Sequence, residues 1–427
     1  MPGFSVIPLR GCVLVCALAI LVPTQFPGES SADSAGELDA LVGQAIFERI
    51  WVSAPASTQS SDGLGPLFNA RSCATCHGGG GRAIVALPED GTVTALGLVL
   101  RLGRSDGGTD PVYGRQLQTY ATQGHAAEGK VFVTREKVPV PVASGISLPV
   151  SLTRPVWSVA ELAYGPIGDT TRVAGRVAPS LLGSGLIEDV PAAAILAFVD
   201  PDDRDGDGIS GRANWITDAS GSRSLGRYGW KASEPSLMGQ IATAFLTDLG
   251  LSSPLRTGNA GDCTQAQRLC RNGPHGAHVN AVEVEPPMPV LVKQYLQSLP
   301  PPPAIDHAEG RDVFEAVGCA ACHRPTLPVR TGGTIAPFTD LLLHNMGSRL
   351  ADGIREGEAS GEEWRTPPLW GLGQALRTET GLLHDGRARN ADQAILWHGG
   401  EGEPARTRFL ALQADEKLAL IRFLQSL

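Results

Sequence analysis

Long apolar runs are scarce in this chain of 427 residues. The one present, Cys12 to Val22, covers 11 residues and stops at Pro23, too short to cross a bilayer as a helix. No stable membrane span is therefore expected. Positive charge is also in deficit. Lys and Arg number 35 against 44 Asp and Glu, the net charge is −9, and the basic residues form no run, which excludes nucleic-acid binding. Only 23 residues are Phe, Trp or Tyr, few for a chain of this size, so the interior needs another filling. What is abundant is Gly and Pro, 84 together, which points to many turns and long loops. The length suggests two or three domains.

Residues 1–34 read as an export signal. Arg10 supplies a positive start, the 12–22 run is an h-region, and Ser30 and Ala32, or Ala35, are small residues at a cleavage point. A buried N-terminal helix is the alternative, but nothing amphipathic continues the run. Val15 before Cys16 is not the small residue that lipoprotein processing needs. A periplasmic protein lacking Cys12 and Cys16 is expected.

The six remaining cysteines fall into three close pairs. Two are followed at once by histidine, as Cys73-Ala-Thr-Cys76-His77 and Cys319-Ala-Ala-Cys322-His323, the c-type haem attachment pattern. Two thiols three positions apart reach two vinyl groups of a porphyrin, and the adjacent imidazole becomes the fifth iron ligand. A four-cysteine zinc site would need the pairs together, and they are 243 residues apart. Two covalent haems are therefore expected, and would also supply the missing filling. Cys263 and Cys270 lie in a polar loop without a following histidine. In an oxidising compartment they form a disulfide, the alternative being two free redox thiols.

The two halves repeat one plan. Gly43-Gln-Ala-Ile-Phe47-Glu48 precedes the first motif and Gly310-Arg-Asp-Val-Phe314-Glu315 the second, the first half carrying about 21 extra residues before its cysteines. Each half closes on Leu-Gln-Ser-Leu, at 296–299 and 424–427, with Pro300 to Pro303 as the linker. The expectation is a mainly α protein of two tandem cytochrome c-like haem domains with long loops, an enlarged first domain at 37–300 and a second at 301–427. A further echo pairs Pro179-Ser-Leu-Leu-Gly183 with Pro367-Pro-Leu-Trp-Gly371, Gly185-Leu-Ile-Glu188 with Gly381-Leu-Leu-His384, and Ala194-Ile-Leu-Ala-Phe198 with Ala394-Ile-Leu-Trp-His398. His398 in the second half is then answered by Phe198, which cannot bind iron. The second haem is read as six-coordinate through His323 and His398, and the first as open opposite His77. Glu188, at the counterpart of His384, is a candidate acid/base for the open site, against the plainer reading of a capping glutamate.

Asp203, Asp205 and Asp207 occupy positions 1, 3 and 5 of a calcium-type loop, with Gly208 at position 6 and Ile209 as the backbone ligand. Asn214 stands where such loops carry glutamate, and Asp200 or Asp202 is a substitute. The alternative is a solvated acidic turn.

Together these segments, with Gly63 to His77, Gly226-Arg-Tyr-Gly-Trp-Lys-Ala232, Asp340 to Gly347, Trp364-Arg-Thr-Pro-Pro368 and Trp397-His-Gly-Gly400, resemble the di-haem oxidoreductase family, relatives of bacterial di-haem cytochrome c peroxidases and of MauG. In those peroxidases the residue 14 after the histidine of the His-x-Gly segment is the distal ligand of the electron-transfer haem, Met or Tyr. Here it is His398, which implies a lower potential than Met gives. The resemblance also implies calcium near the domain interface and an electron path through a tryptophan, for which Trp157, Trp230 and Trp370 are candidates. Met346 is the alternative ligand to His398. His344 and His384 are read as hydrogen-bonding groups, His125 as a cap for the first haem, and His275, His278 and His307 as solvated. The expected activity is reduction of hydrogen peroxide at the first haem, with electrons reaching the second from a small donor protein of cytochrome c or cupredoxin type. The rivals are a di-haem electron carrier without catalysis and a MauG-like oxidase of a protein partner.

Overall fold

The computed structural model describes residues 1, 3, 31–140, 151–277, 281–305, 307–378 and 380–427. Most of the stretch read as an export signal lies outside these, as does His278. The described chain starts a helix, α1 (Ser31–Glu48), inside the last residues assigned to that signal.

The haem-binding ends of each half follow the repeated plan. The first half contains α2 (Ser184–Asp189), α3 (Ala192–Leu196), α4 (Leu237–Asp248), α5 (Arg268–Arg271) and α6 (Met288–Ser298). The second contains α7 (Ala308–Val317), α8 (Leu372–Arg377), α9 (Ala391–Trp397), α10 (Glu403–Ala411) and α11 (Ala414–Ser426). In each half the opening helix crosses the closing one, α1 on α6 and α7 on α11. The repeated glycines permit it. A Cβ on Gly43 would strike the Leu291 carbonyl oxygen, and one on Gly310 the Ala419 carbonyl oxygen and, at 2.6 Å, Phe423 Cβ. The phenylalanines four residues on seal the crossings, Phe47 against Tyr295 at 5.2 Å and Phe314 against Phe423 at 5.4 Å between ring centroids. α2 and α8 both start after a left-handed glycine, Gly183 (φ 69°) and Gly371 (φ 80°), where a side chain would strain the backbone. Their next glycines, Gly185 and Gly373, sit against Gln297 and Gln425 of the shared closing motif.

The expectation of a mainly α protein is not met: 30% of the chain is helix and 18% strand, in several small sheets. β1 (Leu67–Phe68) lies just before the first Cys-x-x-Cys-His, and between that motif and α2 lie β2 (Gly91–Thr92), β3 (Leu98–Gly103), β4 (Gln116–Leu117), β5 (Tyr120–Ala121), β6 (Lys130–Pro139), β7 (Ser151–Ala160) and β8 (Arg172–Val177). β1 pairs with β5, and the other six build two antiparallel three-stranded sheets, ordered β2-β6-β7 and β4-β3-β8, with Lys130 opposite Ala160 and Leu98 opposite Val177. Leu100, Leu102, Leu117 and Val131 bury their alternate positions in a core of their own with Tyr113. Leu152 of β7 and Val138 of β6 reach further and pack into the core of the second half. The extra mass of the first half is therefore a β insertion that braces the second. Cys263 and Cys270 form the expected disulfide beside α5, with Cα atoms 6.3 Å apart. Among the described residues no helix is long and apolar enough to cross a membrane.

Glu128 is buried under this insertion, hydrogen-bonded by Gln118 N–H at 2.5 Å and by the Gln267 amide. Burial outweighs both donors and pushes its carboxyl up to about 8. The folded state thus favours the protonated form, so stability is greatest below the unfolded value near 4.5 and is lost as pH rises toward 8. Glu128→Gln is expected to remove this slope, on the order of a few kcal/mol, in denaturation curves taken from pH 4.5 to 8. Gly310→Ala is expected to cost about 1–3 kcal/mol by overpacking the α7–α11 crossing, read from the same curves at fixed pH.

Candidate functional site

A cavity of about 890 Å³ runs through both halves and is lined by Cys73, Cys76, His77, Cys319, Cys322 and His323. The two motifs adopt one backbone. A short 3-10 turn carries each pair of thiols, and His77 N–H bonds Cys73 O as His323 N–H bonds Cys319 O, both at 3.0 Å. In the first half Ser72 Oγ starts the turn by accepting from Thr75 N–H at 3.2 Å. In the second, Gly318 (φ 93°) both ends α7 and begins the turn. None of the four cysteines is disulfide-bonded, and burial pushes the thiols of Cys73, Cys76 and Cys319 up to about 12. They are neutral thiols at pH 7, unlike the activated thiolates of a redox dithiol.

The imidazoles are neutral as well. Burial takes His77 to about 4. It takes His323 to about 4 with help from His398, and it lowers His398 too. In the second half His323 Nδ1–H donates to Phe338 O at 3.0 Å and His398 Nδ1–H to Ala394 O at 2.8 Å. Each thereby keeps Nε2 uncommitted at the same cavity, the arrangement of a metal-binding imidazole. His398 is placed by α9, whose first turn is capped when Asn390 accepts from Gln393 N–H at 2.9 Å. His77 Nδ1 is buried and makes no hydrogen bond among the described residues. Among the lining residues of the first half, His77 is the only histidine and methionine is absent.

The other histidines separate cleanly. His344 lies between Asp340 (Nε2 to Oδ2, 2.8 Å) and Glu401 (Nδ1 to Oε2, 2.7 Å); burial opposes its charge, yet these contacts and Cys322 hold it protonated. Both its nitrogens are spent. His384 is buried and stacked on Trp364 at 3.7 Å, and burial drives its pKa far down. Met346 stands beside His398, their side chains meeting over Gly402. His125 bonds Thr122 and the Leu269 carbonyl and does not line the cavity.

Glu188 is not at the cavity. Its carboxylate pairs with Lys293 Nζ at 2.8 Å and accepts Leu237 N–H at 3.2 Å, capping α4. The pairing of Glu188 with His384 fails for a geometric reason: the equivalent glycines Gly183 and Gly371 put Glu188 inside α2, whereas His384 lies in the loop after α8. Phe198 follows α3 as His398 follows α9, but its ring lies under the Arg324 guanidinium at 4.8 Å, away from the cavity. Three acids line the first half of the cavity, Asp207, Glu234 and Asp248, and of these Asp248, at the end of α4, lies beside the first pair of thiols. Burial pushes its carboxyl up to about 6 against a 2.7 Å hydrogen bond from Gln116, and its charge acts on both Cys73 and Cys76. No sequence signal marked it.

Of the three tryptophan candidates, Trp230 and Trp370 line the cavity and Trp157 does not, its ring covering Gly175. At the cavity Arg365 is buried and Arg82 half-buried; their hydrogen bonds go to carbonyls (Gly381 and Leu383 for Arg82, Gly229 and Thr366 for Arg365), and desolvation lowers both to about 10. In the acidic loop, ligand oxygens of Asp203, Asp205 and Asp207 lie within 4.8 Å of one another on the surface. Ile209 N–H donates to Asp207 Oδ1 at 2.8 Å. Asn214 points elsewhere, donating to the carbonyls of Lys231 (2.7 Å) and Glu356 (3.0 Å).

A family model described as "Di-haem oxidoreductase, putative peroxidase" matches residues 25–107 and 125–427. The chain belongs to this di-haem oxidoreductase family. No curated protein matches it. Among solved structures it is similar to a chain of the hydrazine synthase of Kuenenia stuttgartiensis pressurised with xenon, at 15% identity and TM-score 0.24, over 58% of this chain and 87% of that one. The residues present fit two haems. Four thiols free of disulfides and three neutral imidazoles face one cavity, and the half-buried Arg82 and buried Arg365 are cations suited to propionate groups.

Proposed function

We propose that this protein is an exported di-haem c oxidoreductase that reduces hydrogen peroxide in its first half, using electrons that enter through its second. The observation behind this reading is the unequal supply of ligands: in the second half His323 and His398 each engage Nδ1 on a carbonyl and keep Nε2 uncommitted, whereas His77 is the only histidine among the lining residues of the first half. Haem supplies electron transfer when bound by two strong axial ligands, and small-oxidant chemistry when one axial position stays free. Cys73 and Cys76, and Cys319 and Cys322, hold the two groups covalently as thioethers. His77 and His323 would each supply an iron-binding imidazole beside their cysteines, and His398 would supply a second one in the second half. Asp248, with Oδ1 engaged by Gln116 and its carboxyl pushed up to about 6, is mostly ionised at pH 7 but takes up and releases a proton at Oδ2 close to neutral pH; the reduction of peroxide to two waters consumes two electrons and two protons. Trp230, Trp364 and Trp370 are the cavity-lining tryptophans available to an electron path between the halves. A small periplasmic cytochrome c or cupredoxin is the donor.

The purified holoprotein is expected to oxidise a reduced donor in proportion to added peroxide. His398→Ala is expected to lose one low-spin signal from the electronic spectrum and to lower donor-linked turnover by at least 10-fold. An unchanged low-spin signal in that variant contradicts the ligand assignment, and a holoprotein inert to peroxide leaves the electron-carrier reading.

Calcium is proposed for the loop of Asp203, Asp205 and Asp207, with Ile209 O. The loop adjoins the second half, since Ser210 bonds Glu401 by N–H at 3.1 Å and by Oγ at 2.7 Å. Chelation with EGTA is expected to lower Tm by a few degrees, with recovery on adding Ca²⁺ but not Mg²⁺. A Tm indifferent to EGTA rejects the site.

A further inference from the structure

His398 sits where α9 runs out. Its N–H still donates to Ile395 O at 3.0 Å, but its backbone is already extended, and the chain continues through Gly399, Gly400, Glu401 and Gly402. Three glycines in four residues give this turn little stiffness of its own. Gly400 (φ 54°) is left-handed and packs so closely on the neighbouring strand that a Cβ there would strike Asn345 O.

Glu401 has the only side chain in the turn long enough to anchor it. Its carboxylate accepts four hydrogen bonds. Ser210 N–H (3.1 Å) and Oγ–H (2.7 Å) come from the first half, and His344 Nδ1–H (2.7 Å) and Asn345 N–H (3.0 Å) come from the strand Leu343–Asn345. Four donors fill the lone pairs of one carboxylate. The same strand runs directly into Met346, whose Cε meets the His398 side chain over Gly402. One carboxylate therefore fixes the register between the segment that carries His398 and the segment that carries Met346.

We propose that Glu401 is a positioning residue for His398, selecting the imidazole over the neighbouring Met346 thioether at the second haem. This rests on the reading of His398 as the second ligand there, and adds what keeps it in place. With the turn anchored, the imidazole holds its position at the cavity. With the anchor removed, the thioether competes for it. Ser210 supplies two of the four bonds, so the first half takes part in fixing a ligand of the second.

Electronic spectra and a potentiometric titration of the holoprotein test this without peroxide. Glu401→Ala is expected to develop the sulfur-to-iron charge-transfer band of a Met ligand and to raise the midpoint potential of one haem, because Met gives a higher potential than His. Adding Met346→Leu to that variant is expected to abolish the band. Ser210→Ala changes no charge, so the smaller rise expected there cannot come from loss of the Glu401 charge; it also carries the test if Glu401→Ala does not fold. A folded Glu401→Ala with the wild-type spectrum overturns the proposal, as does a Ser210→Ala with wild-type potentials. His398→Ala separates the two failures. If it loses the low-spin signal while Glu401→Ala keeps the wild-type spectrum, Glu401 alone is misassigned; if it keeps the signal, the ligand reading falls and this proposal with it.

Discussion

An imidazole buried with Nδ1–H on a backbone carbonyl has one nitrogen left to offer, and its direction is set by the backbone that holds the other. In the second half two such rings, His323 on Phe338 O and His398 on Ala394 O, face one cavity. Burial keeps both neutral, the form that binds a metal. In the first half the same attachment turn presents His77, and no second histidine lines the wall. The halves therefore share a scaffold but not a ligand set, and the division of labour proposed for them rests on that difference.

The scaffold also holds the halves together. Arg176 forms a buried ion pair with Asp352 and lies 3.3 Å from Glu356. Burial pushes the Glu356 carboxyl up, but Arg101, Arg176 and Lys231 together hold it down at about 2. Arg176 and Lys231 also sit over the Trp364 ring, each at 4.5 Å, while its other contact is the stacked His384. Breaking one partner of such a buried group typically costs about 3–5 kcal/mol. Arg82 adds hydrogen bonds from the first half to the carbonyls of Gly381 and Leu383 in the second. Two sites fixed across such a seam keep a constant separation, as electron transfer between them requires.

The parts of this structure that were legible in the sequence are those where chemistry restricts both residue type and spacing. The two Cys-x-x-Cys-His turns and the helix crossings at Gly43 and Gly310 are of this kind, since nothing larger than glycine fits a backbone contact that close. The β insertion was not legible because β1, β2, β4 and β5 are only two residues long, and the helical repeat of the flanking segments dominated the reading. Glu188 was misplaced by aligning Gly185 with Gly381, although Gly183 and Gly371 are the glycines with matching left-handed backbones. Asp248 carries no motif. Its character comes from burial among residues far apart in the chain, which only the folded structure brings together.

Electron paramagnetic resonance of the resting ferric holoprotein bears most directly on the unequal irons. The account predicts one low-spin signal of bis-histidine type and one high-spin signal, with only the high-spin signal perturbed by peroxide. Two low-spin signals of equal weight, both indifferent to peroxide, would contradict it.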